Sequence, residues 1–343
     1  MIRRSASTFW ISPGRSERGW FLRRHIWIGL AVSVLFLFLA VHKTDISELG
    51  QTLRTAQYAY LIPAVGLTLV SFWVRTVRWK YLLEPVKSIS INSLFPAVMI
   101  GFMANNVLPA KLGEFIRAYS IGKKEGISKS SSFATIVVER VFDGFTLFLF
   151  LVIPLLIRPS DGMIRQAAYA AFVVYAGTLA FLILLKYRTD TTLEWTRRVL
   201  RPLPHRWTAK VCGVLRAFVA GLQVFHNAGT LTVTIALSVG MWLCMVGAVY
   251  VLLVSCDLCM PAYAAFLLLG AIALGFSVPG SPGSVGPVEF FSVAGLALFG
   301  IPKGQAVGFS IIFHASQYVP VTLIGLVYLW SEHLSFRAIR EAE

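Results

Sequence analysis

The sequence predicts an all-α, polytopic helical membrane protein. Three observations carry this. Of the 343 residues, 57% are hydrophobic and only 14% are charged, where a soluble chain carries about a quarter. Mean hydropathy is +0.72. The apolar residues fall in long runs separated by short basic loops, and a helix needs about 20 such residues to span a bilayer. The expected architecture is about six full spans plus two broken helical hairpins, arranged as an inverted repeat. The formal net charge of +15 would suit a nucleic-acid partner. The basic residues, however, lie between the apolar runs, where they set topology and meet anionic lipid. Nucleic acid is therefore not expected as a partner.

The elements follow in order. Residues 1–25 are polar and carry Arg3, Arg4, Arg15, Arg18, Arg23 and Arg24, so they are expected in the cytoplasm. Ile26 to Val41 is the first span, short unless it recruits its flanks. No small-residue cleavage site follows it, so it reads as a retained span and not a signal peptide. From Asp45 to Gln57, Ile46, Leu49, Leu53 and Ala56 recur at helical spacing. This predicts a short helix on the outer surface, N-capped by Asp45. Tyr58 to Leu83 is the second span and ends in RTVRWKYLL. Arg75 and Arg78 there have two readings: snorkelling anchors beside an aromatic belt, or two guanidiniums on one face that meet a phosphate.

Ser93 to Leu108 is apolar but ends in Asn105, Asn106 and Pro109. Interrupted backbone at that depth is costly unless it is buried or lines a cavity. Gly113 to Ile121 is short and charged. Lys80 and Lys87 precede the pair, and Lys123, Lys124 and Lys129 follow it. Both ends are thus expected inside, as a hairpin that is either re-entrant or fully spanning. Ser130 to Ile157 runs outward and Arg165 to Leu185 returns. Lys186 to Arg216 is basic and reads as a cytoplasmic loop. Val211, Val214, Leu215, Phe218, Val219, Leu222 and Phe225 predict an amphipathic helix, so that loop and helix together occupy 186–228. Leu231 to Val254 is outward. Ala262 to Val278 is followed by VPGSPGSVGPVEFF and a second apolar segment, Phe290 to Ile301. Ala306 to Trp330 is the last span, and Arg337 and Arg340 place the tail, 333–343, inside. A single transmembrane domain then covers 26–332, in a bacterial cytoplasmic (inner) membrane. No polar stretch is long enough for a soluble catalytic domain. Cys212, Cys244, Cys256 and Cys259 give no framework. Cys256 and Cys259 form a CxxC with no second pair for zinc, which leaves chance or a periplasmic disulfide.

The repeat is read from two motif pairs, in halves of about 58–157 and 229–331. Pro109-Ala-Lys-Leu-Gly113 lines up with Pro282-Gly-Ser-Val-Gly286, and Gly126-Ile-Ser-Lys129 with Gly300-Ile-Pro-Lys303. Loop charge places the first hairpin on the cytoplasmic side, and parity places the second outside. Inverted repeats with Pro/Gly-broken helices point to a transporter's midplane site. The breaks are attributed to Pro109, Gly113, Pro282, Gly283 and Gly286. Helices opening at Gly113 and near Pro287 would offer N–H groups to an anion.

Charge inside these runs needs a reason, since each such side chain costs about 2.5–3.5 kcal/mol on insertion scales. Glu139 and Asp143 share a helix face, with Arg140 three before Asp143. They read either as a structural cluster or as a headgroup lining, with Arg140 on phosphate and the acids on an amine or on Arg140. Arg117 is the expected phosphate ligand, and Glu114 its orienting partner. Glu289, the lone acid of the second hairpin, is expected as a proton carrier or as a partner of Arg117 or Arg140. His314 and Gln317 occupy the positions matching Arg140 and Asp143. His314 reads as a titrating group or as a packing histidine. The sequence holds no nucleophile–base pair, phosphate-cradling loop or metal-ligand spacing. No enzymatic step, cofactor or metal is expected.

NNVLPAKLGEFIRAYSI, VVERVFD and PGSVGPVE together resemble the lysylphosphatidylglycerol synthase transmembrane family, over roughly 25–332. This flippase-like family is related to the lipid-flipping half of the multiple peptide resistance factor. The resemblance maps one motif onto Pro109, Lys111, Gly113, Glu114 and Arg117, a second onto Glu139, Arg140 and Asp143, and a third onto Pro282, Gly283, Gly286 and Glu289. It departs at Lys111, where the family more often has Arg; lysine keeps the charge and loses the bidentate fork. The synthase's aminoacyltransferase domain has no counterpart here, so lysyl transfer is not expected. The resemblance implies a translocase for an anionic phospholipid or a polyprenyl/terpenoid-type lipid; with no ATP site in the sequence, a proton gradient or a downhill lipid gradient is the remaining choice of drive. The alternative is a non-transporting partner that presents lipid or lipid-linked sugar to a separate enzyme. A lipid-biosynthetic partner and a homo-oligomer both stay open.

Overall fold

In the computed structural model the described residues are 15–108, 111–157, 188–201, 228–278 and 282–332, with a few isolated positions between 177 and 215. Regular structure among them is all helical. α1 (Arg15–Val41) and α2 (Ile46–Thr55) meet at a 90° bend. The bend is fixed chemically: the Asp45 carboxylate accepts from the Ser47 N–H at 2.8 Å, as expected of an N-cap. α2 turns Leu49, Leu53 and Ala56 to the core and leaves Ile46 exposed. It rests on the start of α11, where Gly304 and Gly308 leave room for Glu48 and Thr52.

The remaining helices are α3 (Leu61–Leu83), α4 (Ile91–Val107), α5 (Gly113–Glu125), α6 (Lys129–Ile157), α7 (Thr189–Val199), α8 (Ala228–Ser255), α9 (Ala262–Ser277), α10 (Pro287–Ala297) and α11 (Lys303–Ser331). Among the described residues, three helices are long and apolar enough to cross a membrane: Tyr58–Leu83, Gly229–Ser255 and Lys303–Ser331. The bent α1–α2 pair makes a fourth if counted as one span. α6 is 29 residues long and carries Glu139, Arg140 and Asp143 in its middle. Several expectations lie outside the described residues: Pro109, the return span 165–185, most of the amphipathic helix at 211–225, and the tail with Arg337 and Arg340. α7 is a correction, since it forms inside the stretch read as a loop. It buries Thr192, Leu193 and Thr196 along one side, a stripe too polar for a hydrophobic pattern to reveal.

Two sets of four helices follow one plan. α3–α4–α5–α6 and α8–α9–α10–α11 each run long helix, broken hairpin, long helix. Their contacts are reciprocal. α3 packs along α8; α4 packs on α11, and α9 packs on α6. Each hairpin's first helix therefore lies against the last helix of the other set. The paired sequence motifs share a left-handed residue at two matched positions, although Gly286 (φ 97°) differs from its counterpart Gly113, which is not left-handed. Lys111 (φ 53°) and Ser284 (φ 58°), the third residues of PAKLG and PGSVG, are both left-handed, and so are Gly126 (φ 67°) and Gly300 (φ 73°). A left-handed non-glycine residue costs about 1–2 kcal/mol, so having it at both matched positions points to a shared construction. Each hairpin closes on a glycine. A Cβ on Gly113 would lie 1.9 Å from the Gly101 carbonyl oxygen, and one on Gly275 would lie 2.8 Å from that of Pro287. Separate apolar clusters form around Trp79, Leu94 and Ile136 in the first set and around Leu268, Val288 and Phe313 in the second.

Candidate functional site

The site begins with helical spacing. Arg75 and Arg78 sit one turn apart on α3, and Glu139 and Asp143 one turn apart on α6, so the two pairs face each other. Arg75 Nη1 donates to Glu139 Oε1 and Asp143 Oδ2, each at 2.8 Å. Arg78 Nη1 donates to Asp143 Oδ1 at 2.8 Å and to the Ser238 hydroxyl of α8 at 2.7 Å. Trp242 Nε1, also on α8, donates to Asp143 Oδ1 at 3.1 Å. Arg117 reaches in from α5 and grips Glu139 with both terminal nitrogens, at 3.0 and 2.8 Å. Its guanidinium lies 3.7 Å from the Trp79 ring centroid. Arg140 completes the group with contacts to Glu139 at 2.6 Å and Asp143 at 3.2 Å. Arg78 and Glu139 are fully buried, at 0% exposure, and Arg117 is 2% exposed. The Arg140 side chain is 37% exposed.

This geometry corrects four expectations. Arg75 and Arg78 do not snorkel, because their partners are acids inside the protein and not headgroups at the interface. Arg117 is not available as a phosphate ligand; its fork is spent on Glu139. Glu114 does not orient Arg117, but accepts from Asn105 Nδ2 at 3.3 Å. Glu289 pairs with neither Arg117 nor Arg140. Its Oε1 faces His314 Nδ1, and its Oε2 accepts from the Gly286 N–H at 2.6 Å.

A cavity of ≈ 360 Å³ opens beside the ion network. Arg75, Arg140, Asp143 and Lys111 line one side, and His314, Gln317, Gly283 and Ser284 another. Aromatic walls come from Phe72, Phe102, Trp242, Phe276 and Tyr318. Both hairpin breaks therefore meet one space. Both are also tied to α11. Asn105 Oδ1 accepts from the Gly113 N–H at 2.8 Å, Asn106 Nδ2 donates to Thr322 at 2.9 Å, and the Tyr318 hydroxyl donates to the Asn106 carbonyl at 3.2 Å. His314 Nε2 faces the Gly283 carbonyl at 3.0 Å, and Gln317 exchanges hydrogen bonds with Thr68. His314 is thus neither free nor packed in apolar surroundings.

The helix N-termini expected to receive an anion already have an internal partner for one N–H each: Asn105 for α5 and Glu289 for the turn before α10. The cationic side chains that line the cavity among the described residues are Arg75, Lys111 and Arg140. Sequence reasoning missed Ser238 and Trp242 because α8 carries no charged residue, and they are two of several hydroxyl- or N–H-bearing side chains along it. Among the described residues no group of three or more potential ligands forms a metal site.

Comparison with known proteins places these residues in context. The sequence model described as "Lysylphosphatidylglycerol synthase TM region" matches residues 26–325. A UPF0104 membrane protein of Methanocaldococcus jannaschii is 22% identical over 87% of this chain and 92% of its own length. A UPF0104 membrane protein of Methanothermobacter thermautotrophicus is 26% identical over 73% of this chain and 80% of its own length. The protein named glycosyltransferase AglD of Haloferax volcanii is 29% identical over 87% of this chain but 52% of its own length. No solved structure matches significantly.

Proposed function

The chain belongs to the lysylphosphatidylglycerol synthase transmembrane-region family, and on that premise we propose that it translocates an anionic lipid. The observation that carries this reading is the cavity: guanidiniums of Arg75 and Arg140 face it, and both broken hairpins end on it. The headgroup enters this space while its tails remain in the bilayer. Buried charge and interrupted backbone are both expensive in a membrane, and lining a polar path is what makes them useful. The reciprocal packing of α4 on α11 and α9 on α6 and the matched left-handed residues support an inverted repeat about this site. The two hairpins then approach it from opposite leaflets of the inner membrane, with both termini cytoplasmic. No chemical step is assigned to the protein.

The test is exchange of acyl-labelled phosphatidylglycerol and phosphatidate between leaflets of proteoliposomes. Wild-type protein is expected to exchange at least one of them well above protein-free vesicles, and Arg140→Gln to slow that exchange about tenfold, the worth of one charge-assisted hydrogen bond. Folded protein that exchanges neither lipid refutes the translocase. A second reading takes its support from the AglD match, whose printed name is that of a glycosyltransferase: the chain holds a lipid for a separate enzyme. That reading expects lipid binding without exchange.

A further inference from the structure

The ion network does not balance. Arg75, Arg78, Arg117 and Arg140 form one connected group with Glu139 and Asp143. Four guanidiniums against two carboxylates leave two positive charges uncompensated. Lys111 and Glu114, across the first break, offset each other and do not change the excess. Arg78 Nε, Arg117 Nε and Arg140 Nε are buried without a hydrogen-bond partner, and Arg78 Nη2 has only an ion contact with Glu139 at 3.5 Å. An uncompensated charge in a low-dielectric interior is expensive, and two are harder to hold than one. The network stops at the cavity wall, where Arg75 and Arg140 are exposed to it. Among the described residues, the remaining walls contribute no second acid. α4, α8 and α9 carry no Asp, Glu, Lys or Arg, and Glu289 behind His314 is already engaged by His314 and the Gly286 N–H.

Resting on the translocase reading, we propose that the natural occupant of this cavity is a phosphate monoester dianion, the headgroup of a lipid phosphate, in preference to the singly charged phosphodiester of an ordinary glycerophospholipid. A monoester supplies two negative charges at neutral pH, and three terminal oxygens for planar guanidinium donors. A diester supplies one charge and two free oxygens. The ≈ 360 Å³ of space accommodates a phosphate with the first atoms of its chain, and the aromatic walls suit an apolar stem. The same chemistry is presented by free inorganic phosphate, so the source is a separate question for the experiment.

The test is equilibrium binding to the detergent-solubilised full chain, read as the shift in thermal unfolding midpoint against ligand concentration. The probes are short-chain phosphatidate, short-chain phosphatidylglycerol and inorganic phosphate. At about pH 8 phosphatidate is expected to bind at least about tenfold more tightly than phosphatidylglycerol. This advantage shrinks at about pH 5.5, below the second phosphate ionisation near 6. The charged groups that face the cavity are Arg75 on α3, Lys111 in the first break, Arg140 and Asp143 on α6, and His314 on α11 with Glu289 behind it. His314 is the imidazole among them, and its replacement serves as the control. The advantage shrinking to the same extent in His314→Gln assigns the pH effect to the ligand; its disappearance there overturns the assignment. Arg140→Gln lowers the excess to one charge and is expected to bring the two lipids near parity, while Arg140→Lys keeps the preference. If Arg140→Gln does not fold, the wild-type comparison and its pH dependence decide alone. Phosphatidylglycerol binding as tightly as phosphatidate at about pH 8 overturns the dianion and leaves exchange to be judged in vesicles. Inorganic phosphate binding as tightly as phosphatidate overturns the lipid source. Binding of phosphatidate without exchange keeps the dianion and removes the translocase.

Discussion

Glu139 is the acid on which the ion network turns, and replacing it with glutamine is the sharpest perturbation available. Its Oε1 accepts from Arg75 at 2.8 Å, Arg117 at 3.0 Å and Arg140 at 2.6 Å, and its Oε2 accepts from Arg117 at 2.8 Å. Glutamine preserves the shape and removes the charge. It also turns an amide N–H₂ toward an Arg117 nitrogen, placing donor against donor. The excess positive charge rises from two to three. Removing one partner of a buried pair costs about 3–5 kcal/mol, a large part of the roughly 5–15 kcal/mol that holds a typical protein folded. The assay is reversible unfolding in mixed micelles titrated with SDS, followed by tryptophan fluorescence. Trp79 lies directly under the Arg117 guanidinium and reports on the pair. Arg117→Met removes the partner and lowers the excess to one, so the double variant is expected to be about 2 kcal/mol more stable than the sum of the single effects predicts. Additivity within about 0.5 kcal/mol, or a Glu139→Gln cost below about 1 kcal/mol, would refute the network as drawn.

Three further outcomes follow from other parts of the fold. Gly113→Ala forces a methyl to 1.9 Å from the Gly101 carbonyl oxygen, so α5 must leave α4. A cost of about 1–3 kcal/mol and loss of monodisperse protein in size-exclusion chromatography are expected, whereas Gly66→Ala, with open space around it, serves as the tolerated control. Cys259 is exposed and Cys256 buried, both as free thiols, and burial pushes the Cys256 thiol up to about 11. Maleimide at neutral pH is expected to label Cys259 and spare Cys256, and a disulfide-linked peptide in non-reducing mass spectrometry would contradict this. The Asp45 carboxylate is held below its ordinary value by hydrogen bonds from Ser47. Its contribution is therefore full above the unfolded-state value and is lost as pH falls through the lower folded one. Asp45→Ala is expected to destabilise α2 at neutral pH, with the difference from wild type shrinking toward about pH 3. An undiminished difference there would mean that capping by the carboxylate is not the cause.

Much of the architecture was legible because lipid leaves few choices. The apolar runs at Tyr58–Leu83, Ala262–Val278 and Ala306–Trp330 became α3, α9 and α11 within a few residues, and Asp45 capped its helix. The motif pairs read from Pro, Gly and Lys spacing correspond to real backbone equivalences at Lys111 and Ser284. The charged residues singled out for the site also converge, but their pairing was not legible. Sequence spacing relates residues along one helix, which suggested Glu114 for Arg117. The actual partner, Glu139, lies on the next helix and is brought within reach by the α5–α6 crossing. Arg75 and Arg78 carried two readings because depth in the membrane cannot be separated from depth in the protein by hydropathy alone. The arrival of α8 against α3, which supplies Ser238 and Trp242, depends on contacts between distant segments and left no periodic mark.

Equivalence of backbone with divergence of charge is the property that gives this bundle a direction. The two halves place matching positions around one cavity. Asp143 on α6 accepts from Trp242 on α8; Gln317, its counterpart on α11, bonds Thr68 on α3. The scaffolding is reciprocal, but the chemistry is not. The first half contributes all four arginines of the network, so its wall of the cavity is the cationic one. The second half answers with an engaged Glu289–His314 pair, an amide and backbone carbonyls. On the proposed translocase reading, a headgroup in a symmetric cavity would have no preferred orientation, whereas this lining would give its anionic end the Arg75–Arg140 wall and face its substituent with acceptors and rings. Specificity for the anion and tolerance of its substituent can therefore be altered separately, by substitutions on α3 and α6 for the first and on α9 and α11 for the second.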